Sequence, residues 1–288
     1  MTSEESINLL AVVIDTNPIA WATAAQDSRC PLDFGRVLEQ LLIFINAHLA
    51  LRFDNELVVI ASHTNQSLFL YPPQLSDTDQ PPDASSKPAN TYKQFFDVNQ
   101  AVIKTLKDLI TESKSPEDVD DKSMLAGSLS LAQTYINRIR RANDPTPLQS
   151  RILILSVSPD LPSQYVATMN CIFAAQRVGT RIDVCRFRGK HYGEESVFLP
   201  QACHLTGGLY MEIPEAENLL QYLLYAFLPD PYMRSVLCLP EKDQVDFRAA
   251  CFCHKTVVDV GYVCSVCLSI FCSVSKQCPT CQTQFGGQ

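Results

Sequence analysis

The sequence predicts an α/β protein, with a mostly parallel sheet and helices on both faces, followed by a small C-terminal zinc-binding module. Three observations carry this prediction. Apolar runs alternate with amphipathic helical patterns, the runs are continuous rather than alternating in polarity, and seven of the twelve cysteines crowd between Cys251 and Cys281. A continuous apolar run marks a strand buried on both faces, as in a parallel sheet. Strand-helix alternation along a chain favours right-handed crossovers and helices on both sides of that sheet.

The elements follow in order. Ile7 to Ile14 (INLLAVVI) is a buried strand ended by the polar cluster Asp15-Thr16-Asn17-Pro18. From Asp33 to Leu51 the spacing of Phe34, Val37, Leu38, Leu41, Leu42 and Ile45 predicts an amphipathic helix with Asp33 as its cap. Residues 56–62 and 67–71 are strands joined by a polar link short enough for a hairpin. Residues 72–90 carry five prolines among Ser, Asp and Ala and read as an exposed mobile loop. Helical patterns cover about 95–112 and 124–141, divided by an acidic loop at 113–122. Thereafter 151–157 is a strand, 165–178 a helix, 181–187 a strand, roughly 196–205 a helix, 208–213 a strand, and 215–228 a last helix stopped by Pro229-Asp230-Pro231. The expected organisation is an α/β domain over 1–228, a linker over 229–250 and a cysteine-rich module over 251–288.

Composition sets the class of protein. Of 288 residues, 46% are hydrophobic and 19% charged, which suits a buried core and excludes wholesale disorder. A net charge of −8 argues against a dominant nucleic-acid-binding field, which needs clustered Lys and Arg. Arg138, Arg140, Arg141 and Arg151 lie close in sequence but read as the solvated end of a polar helix. There is no basic, cleavable start and no stretch of roughly 18 consecutive apolar residues, so a soluble intracellular protein without membrane contact is expected. Cys30, Cys171, Cys185, Cys203 and Cys238 are scattered through apolar segments and are expected as reduced core residues.

The tail carries the most specific chemistry. Cys264-x2-Cys267 and Cys278-x2-Cys281 are two close thiolate pairs about a dozen residues apart, the pattern of two knuckles completing one tetrahedral zinc shell. A segment of this size cannot fold on a hydrophobic core alone, so the metal is expected to hold it. Cys251, Cys253, His254 and Cys272 surround these four and leave room for a second zinc in a cross-braced, RING-like arrangement. The pairing is imperfect there, because Cys272 has no cysteine beside it. A RING-type ubiquitin ligase is therefore the alternative function.

No phosphate loop, dinucleotide turn or nucleophile elbow occurs, and His48, His63, His191 and His204 stand singly. No catalytic residue and no small-molecule substrate is predicted. Asp15-Thr16-Asn17-Pro18-Ile19 sits past the end of a strand, where open α/β sheets place ligands. It is similar to a degenerate form of the metal-dependent adhesion motif of von Willebrand factor A domains, Asp-x-Ser-x-Ser. Asn17 and Ile19 replace the serines, and an apolar side chain removes an oxygen a magnesium ion needs. Asp15 and Asn17 are instead expected to accept backbone hydrogen bonds at a turn.

The segments DTNP, VVIASH, LFLYP, LAGSLSLA, RILILSVS, LTGGLY and LLQYLLYAFLPD, with the tail DFRAACFCHKTVVDVGYVCSVCLSIFC, resemble one family. It is that of the small von Willebrand A-domain subunits of the general transcription and DNA-repair factor TFIIH. The resemblance implies a non-enzymatic core subunit of a nuclear complex acting in RNA polymerase II initiation and nucleotide excision repair. It implies a larger partner subunit that carries an A domain and a RING-like zinc domain. It also places the family's four-cysteine finger on Cys264, Cys267, Cys278 and Cys281. No basic tail follows the finger before Gln288, so any import signal is expected to be cryptic or supplied by the partner.

Overall fold

A computed structural model describes residues 7–26, 31–73, 92–112, 122–143, 147–187, 196–213, 216–239, 251–253 and 258–285. Six strands form one sheet: β1 (Ile7–Asp15), β2 (Glu56–Ser62), β3 (Ser67–Tyr71), β4 (Leu148–Ser156), β5 (Arg181–Phe187) and β6 (Tyr210–Ile213). Their order is β3-β2-β1-β4-β5-β6, parallel throughout except for the β2–β3 hairpin at one edge. The chain starts in the middle, winds outward to one side and then to the other. The order therefore reverses at β1, which places the carboxyl end of β1 at the switch point where such sheets form crevices.

Burial on both faces explains the unbroken apolar run of β1. Leu10, Val12 and Ile14 enter one core, while Leu9, Ala11 and Val13 enter the other. The first core lies under α1 (Pro18–Ala25), α2 (Phe34–Leu51), α3 (Lys93–Glu112) and α7 (Leu219–Tyr222). The second lies under α4 (Leu125–Ala142), α5 (Tyr165–Val178) and α6 (Phe198–Thr206). The α/β architecture with helices on both faces is thus present, in three layers. Helix α2 is long and apolar enough to cross a membrane by composition alone. Here it buries Val37, Leu41, Phe44, Ile45 and Leu49 against the sheet, and the Asp33 carboxylate caps it by accepting the Gly35 N–H at 2.9 Å.

Several details depart from expectation. Pro18–Ala25 forms an additional helix, started by Asn17 as cap and by Pro18 in the first turn. Strand β4 begins at Leu148, three residues before the apolar run. The last helix is not uniform: a 3₁₀ turn at Ala216–Asn218 leads into α7 and then into a π-helical turn over Leu223–Phe227. Gly207 ends α6 with φ +71°, and a side chain at Gly208 would collide with the Ile182 carbonyl, so β6 can lie against β5 only with glycine there.

Residues 229–239, expected as linker, fold back on the sheet. Helix α8 (Pro231–Val236) is capped by Asp230, and its Arg234 forms a forked pair with the buried Asp183, at 2.9 and 2.6 Å. Arg151 donates to the carbonyls of Phe227, Leu228 and Pro229 at 2.7, 3.1 and 3.0 Å, satisfying the end of the preceding helix. The rest of the expected linker and the segment 72–90, apart from Pro72 and Pro73, lie outside the described residues.

Candidate metal centre and the β1 cluster

At the carboxyl end of β1, backbone donors occupy the Asp15 side chain. One carboxylate oxygen accepts the N–H of Asn17 at 3.2 Å, and the other accepts those of Val157 and Ser158 at 3.1 and 2.7 Å. The residue is 4% exposed. The Asn17 side-chain oxygen accepts the N–H groups of Ile19 and Ala20, and its amide donates to Ser158 Oγ at 3.2 Å. Trp21 Nε1 donates to the Asp15 carbonyl at 2.7 Å. Together these bonds tie β1, α1 and the loop after β4 into one unit. Ile19, in the third motif position, is exposed.

Asp160, which shares a small cavity of about 30 Å³ with Asp15, is also engaged. It caps α6 by accepting the N–H groups of Val197 and Phe198 and the Ser196 hydroxyl. That cavity has room for water but not for an organic ligand.

The isolated histidines and cysteines are placed as follows. His63 is buried and its Nδ1 donates to the Thr16 carbonyl at 2.8 Å. His48 is 1% exposed, and burial together with Arg151 lowers its pKa from 6.5 to about 4. His204 is exposed, while His191, His254 and Cys30 lie outside the described residues. Cys185 and Cys203 are core residues as expected and Cys171 is half-buried, but Cys238 is exposed, a departure from the core placement.

In the tail, two knuckles form with the same wiring. In the first, Leu268 N–H donates to the Cys264 carbonyl at 2.9 Å, and Cys264 N–H to the Ser269 carbonyl at 2.9 Å. In the second, Gln282 N–H donates to the Cys278 carbonyl at 2.8 Å, and Cys278 N–H to the Thr283 carbonyl at 2.8 Å. Leu268 and Gln282, each directly after a second cysteine, both take positive φ, 60° and 61°. Ser269 Oγ lies 3.1 Å from Cys267 Sγ, and Thr283 Oγ1 lies 3.0 Å from Cys281 Sγ. Each knuckle thus reads Cys-x-x-Cys-x-Ser/Thr, and the repeated hydroxyl is the signal that spacing alone missed.

The four sulfurs of Cys264, Cys267, Cys278 and Cys281 all lie within 4.8 Å of one another. Cys264 and Cys281 are 3.7 Å apart and Cys267 and Cys278 are 3.6 Å apart. A tetrahedral shell with Zn–S bonds of about 2.3 Å spaces its sulfurs by roughly 3.8 Å. A disulfide needs about 2.05 Å. The cluster therefore has the dimensions of a zinc shell. Hydrogen bonds from the Thr283 hydroxyl and backbone pull the Cys281 thiol down to about 6, and the Cys267 backbone N–H lowers that of Cys264. Burial pushes the Cys267 thiol up to about 11.

A short hairpin, β7 (Tyr262–Val263) with β8 (Ile270–Phe271), carries the first knuckle. The Phe252 N–H donates to the Ile270 carbonyl at 2.8 Å. The Phe252 ring meets Tyr165 edge-on at 4.7 Å, with Phe198 at 6.2 Å and Phe271 at 6.4 Å. The module thus rests on the amino ends of α5 and α6, beside the β1 cluster, through an aromatic wedge.

The fold and the cluster together define a von Willebrand factor A-like protein with a C-terminal four-cysteine group of a kind suited to zinc. The particular family follows from the sequence as a whole: the model described as transcription factor Tfb4 matches residues 7–282, and the chain belongs to that family. It is 41% identical over 283 residues to the general transcription and DNA repair factor IIH subunit tfb4 of Schizosaccharomyces pombe, spanning 98% of this chain and 90% of that protein. The TFB4 subunit of Arabidopsis thaliana is 38% identical across 98% of this chain and 90% of its own length. A crystal structure of the TFIIH p34 N-terminal domain aligns with a TM-score of 0.63 at 32% identity, covering 78% of this chain and 99% of that one. The family and its A-like fold are structural rather than catalytic.

Proposed function

We propose that this chain is a non-catalytic core subunit of TFIIH. It acts in the nucleus, in RNA polymerase II transcription initiation and in nucleotide excision repair, through contacts with other subunits. The observation that carries this reading is that the family match runs through both parts of the chain, from β1 to the residue after Cys281. Residues 1–228 serve as the A-like scaffold and residues 251–288 as a zinc finger, in which Cys264, Cys267, Cys278 and Cys281 hold one structural zinc. The sulfur spacings and the matched hydroxyl on each knuckle support that ligand set. Zinc supplies no chemistry here beyond closing the segment, which is too small to fold on its own apolar residues.

The β1 cluster supports a scaffold over a magnesium-dependent adhesion site, because backbone N–H groups take up the Asp15 carboxylate and Ile19 offers no oxygen. The main partner is the larger A-domain subunit with the RING-like domain. Co-expression of the two followed by size-exclusion chromatography tests this: a shared peak is expected, and separate elution of two folded proteins would sink the assignment.

A further inference from the structure

Three cysteines outside the four-sulfur cluster, Cys251, Cys253 and Cys272, are joined through the Cys251 sulfur. Cys251 is 1% exposed, and its Sγ accepts two backbone N–H groups, from Cys253 and from Cys272, each at 3.3 Å. Buried sulfur that receives two N–H donors is arranged for negative charge, since these dipoles stabilise a thiolate far more than a neutral thiol. The four-sulfur cluster uses the same device, where the Cys278 Sγ accepts the Cys281 N–H at 3.5 Å. The Cys253 thiol lies near those of Cys251 and Cys272. Backbone pairing brings them together: Phe252 bonds to Ile270, so the 251–253 segment runs along β8 and sets Cys251 beside Cys272.

We propose that Cys251, Cys253 and Cys272 form a second zinc site, whose role is to hold Phe252 in its wedge between the module and the A-like domain. Phe252 lies between two of the three ligands in sequence, and its ring is the bridge to Tyr165 and Phe198. A metal on the flanking thiolates fixes the backbone on both sides of that ring. Cys253 and Cys272 are exposed, so a metal held by these three thiolates would be open to solvent. The arrangement crosses over: the outer three cysteines serve one ion while the two knuckles serve the other, which rests on the four-cysteine reading above.

Zinc counting on the full chain by native mass spectrometry tests the proposal. Two zinc equivalents are expected in the wild type, and one in Cys272→Ser. After cobalt replaces zinc, the ion retained in Cys272→Ser should show the charge-transfer intensity of four thiolates. The ion lost should show that of three thiolates. Cys264→Ser reports on the other centre, so failure of one assignment is distinguishable from failure of both. If Cys272→Ser loses both ions, the exposed Cys253→Ser decides: loss of one equivalent supports the site, and loss of none overturns it. A wild-type chain that binds a single zinc overturns it outright.

Discussion

Replacing Asp15 by alanine leaves three buried N–H groups, those of Asn17, Val157 and Ser158, without their acceptor. A buried donor stripped of its partner costs about 1–3 kcal/mol, so the simple total is roughly 3–9 kcal/mol. The adjoining cavity of about 30 Å³ can admit a water that recovers part of this. We therefore expect Asp15→Ala to destabilise the A-like part by about 3–4 kcal/mol, which for a domain of this size lowers Tm by roughly 6–16 °C. Asp15→Asn keeps one acceptor but turns an N–H₂ group toward the remaining donors, so its loss should be comparable. Urea unfolding with and without magnesium chloride measures both effects. The wild-type curve should not move with magnesium. If Asp15→Ala costs under about 1 kcal/mol, while magnesium stabilises the wild type and not the variant, Asp15 is an ion ligand and the structural reasoning fails.

Three further outcomes are expected. His48 is neutral in the folded chain down to about pH 4 but takes up a proton near 6.5 when unfolded, because burial and then Arg151 disfavour its charge. Its contribution is complete above pH 6.5 and is lost as pH falls toward 4; at about 1.4 kcal/mol per tenfold it amounts to about 3 kcal/mol, so His48→Gln should flatten the acid limb of stability against pH. Serine at any one of Cys264, Cys267, Cys278 or Cys281 should release one zinc and open the module to protease; four variants that all keep a full zinc complement would show the ligand set to be wrong. Phe252→Ala should leave the zinc content intact yet speed hydrogen exchange at the amino ends of α5 and α6, since edge-on aromatic pairs are worth about 0.5–1.5 kcal/mol each. Unchanged exchange at Tyr165 and Phe198 would mean that the wedge does not couple the two parts.

Much of the architecture is legible because the local signals are strong. A strand buried on both faces leaves a run such as LAVVI, and the α5 pattern ends where Gly179 takes φ 74°. Elsewhere the signals are weak or misleading. Helix α1 is hidden because its apolar residues show little periodicity and its cap, Asn17, also reads as a turn residue. The fold-back of α8 is hidden because Pro229-Asp230-Pro231 looks like a stop, while the force that docks the helix is an ion pair with Asp183, 51 residues away.

The sequence by itself determined the α/β class, the positions of six strands and the two thiolate pairs, because each depends on residue type and spacing over a few turns of chain. The tertiary structure alone decided the strand order, the engagement of Asp15 by Val157 and Ser158, and the seating of Phe252 on Tyr165 and Phe198. Each of these joins groups far apart in sequence. Such contacts are set by which buried donors and apolar faces remain unpaired once the local elements have formed, and no local periodicity encodes that.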